Sequence, residues 1–182
     1  NMVNALQYWL GVTGMVEFKE GIGAPTALGE TLLGDAGDPY LEDEATLWII
    51  HWLIAANAEL ATGFYWFFNH FASPSFQDQD ALYAIGEFAE RELRIRRAQT
   101  TLKSDISTLL RMYAPAAGRT DDHLDSPLAQ LQLITAESGR GYRSPRIARP
   151  FLPPIALHFA LAQRFAAEPR LPALPIRAIL YG

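Results

Sequence analysis

The sequence of 182 residues contains no cysteine. Disulfides, thiolate-bound zinc and cysteine nucleophiles are therefore excluded, and the absence fits a reducing cytoplasm, the expected location. Charge is sparse as well. Fifteen Lys and Arg stand against 20 Asp and Glu, giving a net charge of -5, while 49% of residues are hydrophobic. Such a chain buries a core rather than remaining disordered. No apolar run is long enough to cross a bilayer. The longest, Ala45 to Phe71, is broken by His51, Asn57, Glu59, Asn69 and His70. Each half is shorter than the ~20 residues that a bilayer requires, so two buried helices and no membrane span are expected. Also missing are a Walker loop, a Gly-rich dinucleotide turn, a serine nucleophile elbow and an HExxH pair. ATP, NAD and zinc chemistry are left without support. No signal peptide is visible. The first residue, Asn1, lies within a helical pattern, and the expectation is of a fragment whose natural start lies upstream.

The hydrophobic periodicity predicts a mainly α protein. Winged helix-turn-helix elements would surround an aromatic helical core, with short β-hairpins as wings. Three segments are expected: the back part of a winged unit over 1–37, an aromatic core over 38–75, and a helix-turn-helix with basic wing and terminal helix over 76–182. Within them, a helix over Met2–Leu10 should stop at Gly11, and Met15–Phe18 reads as a strand leading into a turn. Asp43 is the expected N-cap of a helix from Glu44 that ends at Asn57. Residues 61–71 give a second helix. Ser73–Phe76 reads as a break, and Asp78 as the cap of a third helix. Pro127–Ile134 is ambiguous between helix turn and strand. Gly139-Arg140-Gly141 reads as a hairpin turn, with Tyr142–Ile147 as the return strand. Pro153 and Pro154 open a long helix to Ala167, and a short further helix is expected over Leu174–Leu180.

The polar face of one helix is the most informative feature. Leu102, Ile106, Leu109, Leu110 and Tyr113 form an apolar stripe at helical spacing. Thr100, Lys103, Ser104, Ser107, Thr108 and Arg111 point the other way, and hydroxyls and cations are the groups that bond phosphates and base edges. Residues 91–111 hold six Lys or Arg and two acids, whereas 17–44 hold eight acids and one Lys. A basic surface on an acidic chain makes double-stranded DNA the leading partner.

Three motifs carry a family resemblance. The first is Asn1-Met2-Val3 followed by Tyr8-Trp9-Leu10. The second runs Asp38-Pro39-Tyr40-Leu41-Glu42-Asp43-x-Ala45-Thr46-Leu47-Trp48-x-x-His51-Trp52, then Ala61-Thr62 and Tyr65-Trp66-x-Phe68-Asn69. The third is Asp122-x-Leu124-Asp125-Ser126-Pro127-Leu128-x-x-Leu131-x-Leu133-Ile134. In this order they resemble the SspB-like family of bacterial DNA phosphorothioate modification and defence systems. Glu44 departs from the pattern, which tends to have Pro there. The resemblance implies DNA binding beside other proteins of the phosphorothioation system, and nicking of one strand. It assigns no cutting residue.

The residues themselves offer three sites, each with a plainer account. Arg94, Arg96, Arg97, Lys103, Ser104, Ser107 and Arg111 suit DNA contact, or else form a solvated helix face. Arg140, Arg143, Arg146 and Arg149 suit a wing on a phosphate backbone, or else a loop paired with Asp121, Asp122 and Asp125. Asp38, Glu42 and Asp43 with His51 are candidate catalytic residues around Mg²⁺. Their plainer account is capping carboxylates beside a core histidine, and it is preferred. A nickase, a non-enzymatic DNA-binding adaptor and a protein-interaction module all remain open, as does the oligomeric state.

Overall fold

A computed structural model describes residues 2–94, 98–114, 126–137, 141–170 and 173–175. Helix α1 (Met2–Val12) passes through Gly11 and ends one residue later. Gly11 keeps helical geometry; the stop is Gly14, whose φ of 65° is easy only for glycine. The Thr13 hydroxyl donates back to the Trp9 carbonyl at 2.9 Å. Strands β1 (Val16–Lys19) and β2 (Ile22–Pro25) pair antiparallel, Lys19 opposite Ile22. Glu20 and Gly21, both at positive φ, make the tight two-residue turn between them.

Helix α2 (Ala27–Leu33) was not expected from the sequence. Thr26 caps it, its hydroxyl oxygen accepting from the Gly29 amide at 3.1 Å. Helix α3 (Glu44–Ala55) begins where predicted: Asp43 accepts from the Ala45 amide at 2.8 Å. It ends two residues before Asn57. Helix α4 (Thr62–Asn69) follows, and its Gly63, Phe64, Trp66 and Phe67 are buried.

The expected break at Ser73–Phe76 contains a strand instead, β3 (Ser75–Gln77). The cap of α5 (Asp78–Arg91) is Gln77 rather than Asp78, with the Asp80 carboxylate accepting from the Gln77 amide at 2.8 Å. Asp78 is the first helical residue. Helix α6 (Gln99–Tyr113) buries all five residues of the predicted stripe. The ambiguous segment resolves into a short 3-10 helix, Pro127–Leu131. Strands β4 (Thr135–Ala136) and β5 (Gly141–Arg143) form the expected hairpin, but the return strand stops before Ser144. Its far edge is taken by β3, with Phe76 opposite Tyr142, giving the strand order β3-β5-β4. Helix α7 (Pro154–Ala167) starts at the predicted proline pair and packs on α3. Residues 173–175 are not helical, and 176–180 of the expected last helix lie outside the described residues.

The fold is mainly helical with two small antiparallel sheets. Its core draws on all three expected segments, since one cluster joins Val12, Leu47, Phe64, Phe67, Phe76, Leu109 and Ile134. Trp9 closes it from α1, edge-on to Phe64 at 5.2 Å. Phe76 and Tyr142 stack at 5.7 Å, so aromatic contact as well as backbone bonding ties β3 to β5.

Candidate nucleic-acid interface

Helix α6 shows how one sequence pattern makes both a core and a surface. Its apolar stripe faces α4 and α5. Thr100, Lys103, Ser104, Ser107 and Arg111 are exposed, and Thr108 is half-buried. The Thr108 hydroxyl donates to the Ser104 carbonyl at 2.9 Å, and Arg111 Nε to the Ser107 carbonyl at 3.4 Å. Asp105 is half-buried, with its Cβ against Gly63 in the first turn of α4, so the one acid of α6 turns away from the cationic face. Among the described residues, neither Lys103 nor Arg111 joins an ion pair. Arg94 is exposed just before α6, in a left-handed conformation with φ of 54°. Arg96 and Arg97 lie outside the described residues.

The arginines after the hairpin divide into two kinds. Arg143 is on β5 and pairs with Glu137 at 3.4 Å, their side chains 56% and 42% exposed. So open a pair is weak and leaves the guanidinium within reach of other anions. Arg146 and Arg149 are turned back onto the protein. Arg146 donates to the carbonyls of Phe68 and Phe71 at 3.5 and 3.4 Å, at the end of α4. A cation there also meets the negative end of the helix dipole. Arg149 donates to the Gln132 carbonyl at 3.2 Å. Arg140 lies outside the described residues, as do Asp121, Asp122 and Asp125.

The acidic motif is bound up with its own loop. The two carboxylate oxygens of Asp38 accept from the amides of Glu42 and Asp43, each at 2.9 Å. The Glu42 bond leads in holding this carboxyl below its ordinary value. Asp43 caps α3. His51 Nδ1 shares a hydrogen bond with the Tyr113 hydroxyl at 2.9 Å, between the rings of Phe68 and Trp48. Burial, and then the nearby Arg149 cation, push His51 down to about 3. Burial alone pushes Tyr113 upward. His51 is therefore a neutral bridge between α3 and α6. Among the described residues no group of three or more His, Asp or Glu is placed to hold a metal, so Asp38, Glu42, Asp43 and His51 form no such group.

Some polar partners escaped sequence reasoning. Asn69 Nδ2 donates to the carbonyls of Ala55 and Tyr65 at 2.9 and 2.8 Å. Asn57 donates to the Val12 carbonyl at 3.0 Å and accepts from the Leu60 amide. Asn69 does stand in a quoted motif, but motif position gives no partner. Tyr113 reads simply as the last member of an apolar stripe.

No helix among the described residues is long and apolar enough to cross a membrane. No curated protein matches the chain in sequence. Two solved structures share its fold. A magnesium ion-bound SspB superposes with a TM-score of 0.79 at 22% identity, over 92% of this chain and 54% of the other. A second SspB structure gives 0.74 at 24% identity, over 86% and 50%. The chain thus spans about half the length of the solved chains it matches. The family described as a protein of unknown function, DUF4007, matches residues 1–182. With its whole length accounted for in this way, the chain belongs to the DUF4007 family and has the fold of SspB.

Proposed function

We propose that the chain binds double-stranded DNA through a winged helix-turn-helix formed by α4, β3, α5, α6, β4 and β5. The observation that carries this reading is the strand order β3-β5-β4. A strand between the first two helices pairs with the far strand of a hairpin that follows the third helix, and this is the connectivity of a winged helix. Helix α6 is then the recognition helix, and its free face carries Lys103, Arg111 and three hydroxyl residues. In sequence, Arg94, Arg96 and Arg97 precede this helix and Arg140 precedes β5, while Arg143 lies on β5 itself.

The SspB-like motifs support a role for this binding in a phosphorothioation-type defence system, alongside the system's other proteins. By the same resemblance, the full activity is the nicking of one strand with Mg²⁺. A second reading is a DNA-binding adaptor that recruits the modifying proteins without cutting. It is favoured by the internal bonds that already engage Asp38, Asp43 and His51.

Incubation with supercoiled plasmid tests both. Retention of the plasmid at low salt, lost as salt rises, is the expected result for binding. Open circles formed with Mg²⁺ and not with chelator identify the nickase; retained but uncut plasmid identifies the adaptor. If plasmid and short duplexes are not retained at any salt, the DNA reading fails.

A further inference from the structure

We infer that the α6 surface grips duplex DNA by its phosphates and shape and does not discriminate base sequence. This rests on the DNA-binding reading above and narrows its substrate to B-form duplex of any sequence. The argument comes from what each side chain on α6 is free to do. Strong base readout uses two-pronged partners: Arg or Lys on guanine, Asn or Gln on adenine. Gln99 is exposed in the helix's first turn, on the azimuth of Ile106 and Leu110 and off the face formed by Thr100, Ser104 and Ser107. Arg111 is in the last turn, with its Nε on the Ser107 carbonyl. It stands at the opposite end from the N-terminal residues that reach base edges in helix-turn-helix proteins. Lys103 is a mobile point charge without the rigid fork of arginine, so it suits a phosphate better than a base edge.

The residues left on the central free face are Thr100, Ser104 and Ser107. A hydroxyl both donates and accepts, so it bonds either member of a base pair and distinguishes neither strongly. The Thr108 hydroxyl is already used on the Ser104 carbonyl. Affinity on this face therefore comes from cations on phosphates, and sequence choice within the assembly falls to another component or surface.

The test is fluorescence anisotropy of the full chain with three labelled duplexes: all A·T, all G·C and mixed. The three affinities should agree within about tenfold, less than several disfavoured base pairs would cost a sequence reader. Lys103→Ala and Arg111→Ala should each weaken all three duplexes alike and lower the slope of log affinity against log salt by about 1. Circular dichroism checks that these exposed-site variants remain folded. A preference above about tenfold that vanishes in a Thr100→Ala/Ser104→Ala/Ser107→Ala variant or in Gln99→Ala overturns the inference, because α6 side chains would then be reading bases. Binding in that experiment still upholds the DNA reading, whereas no binding to any duplex removes that reading itself.

Discussion

Single side chains in this protein are used chiefly to close backbone bonds at the ends of helices. Asn69 is the clearest case. Its amide meets the last carbonyl of α3 and a carbonyl of its own helix. Replacing Asn69 with Ala should cost about 1–3 kcal/mol, because the half-buried Ala55 carbonyl loses its donor. Urea denaturation would show this as a lower midpoint at unchanged slope. His51 gives a pH dependence whose sign is fixed. Its folded value, about 3, lies below the ordinary 6.5. Between those values the unfolded chain binds the extra proton, so stability falls as pH drops through the window and is whole above it. Melting temperatures from pH 7 to pH 4 should fall less steeply in His51→Phe than in the wild type. An equal slope would mean that other groups carry the acid sensitivity. The sequence favours a core histidine at position 51 but names no partner for it or for Asn69. Asn69 and His51 stood out as polar residues in a greasy run, but their partners lie 14 and 62 positions away.

At the level of elements, legibility followed length. Helix α6 was readable because 15 residues give four turns of a 3.6-residue repeat, and all five stripe positions are buried. The start of α3 was readable because Asp43 is a strong local cap. Strand β3 was not, since three residues hold no periodicity and its partner is far along the chain. Helix α2 was missed as a seven-residue helix interrupted by Gly29. That glycine has a packing reason: a Cβ there would run into the Met15 carbonyl. Gly29→Ala should therefore destabilise the chain by about 1–3 kcal/mol even though alanine favours helices. Thermal unfolding would register it, and a rise in melting temperature would mean that α2 can move away from Met15. The basic segment 140–149 was read as one surface, yet Arg146 and Arg149 hold carbonyls while Arg143 faces outward. Composition gives a segment's charge but not the direction of each guanidinium, which depends on where α4 ends.

For the whole molecule, charge separates along the sequence: acids gather over 17–44 and cations over 91–111. If the cationic segment is the DNA face and the acidic segment lies beyond a Debye length from it, neutralising the acids should matter little. Glu20→Gln and Glu30→Gln should change duplex affinity by no more than about twofold, as expected beyond a Debye length of ~8 Å at physiological salt. A tenfold gain in anisotropy titrations would instead mean that the acids repel the duplex directly. The mainly helical class was legible because helices dominate the hydrophobic pattern. The joining of all three expected segments into one core was not, because Trp9, Phe64 and Phe76 meet through folding rather than through sequence proximity. The seam between β3 and β5 also bears on the order of assembly. Phe76 cannot pair with Tyr142 until the chain between them has doubled back, and closing so wide a loop carries an entropic cost that local helix formation does not. Loop closure alone therefore predicts that the three-stranded sheet locks late, and weakening it should expose the hairpin amides to hydrogen exchange before those of the helices.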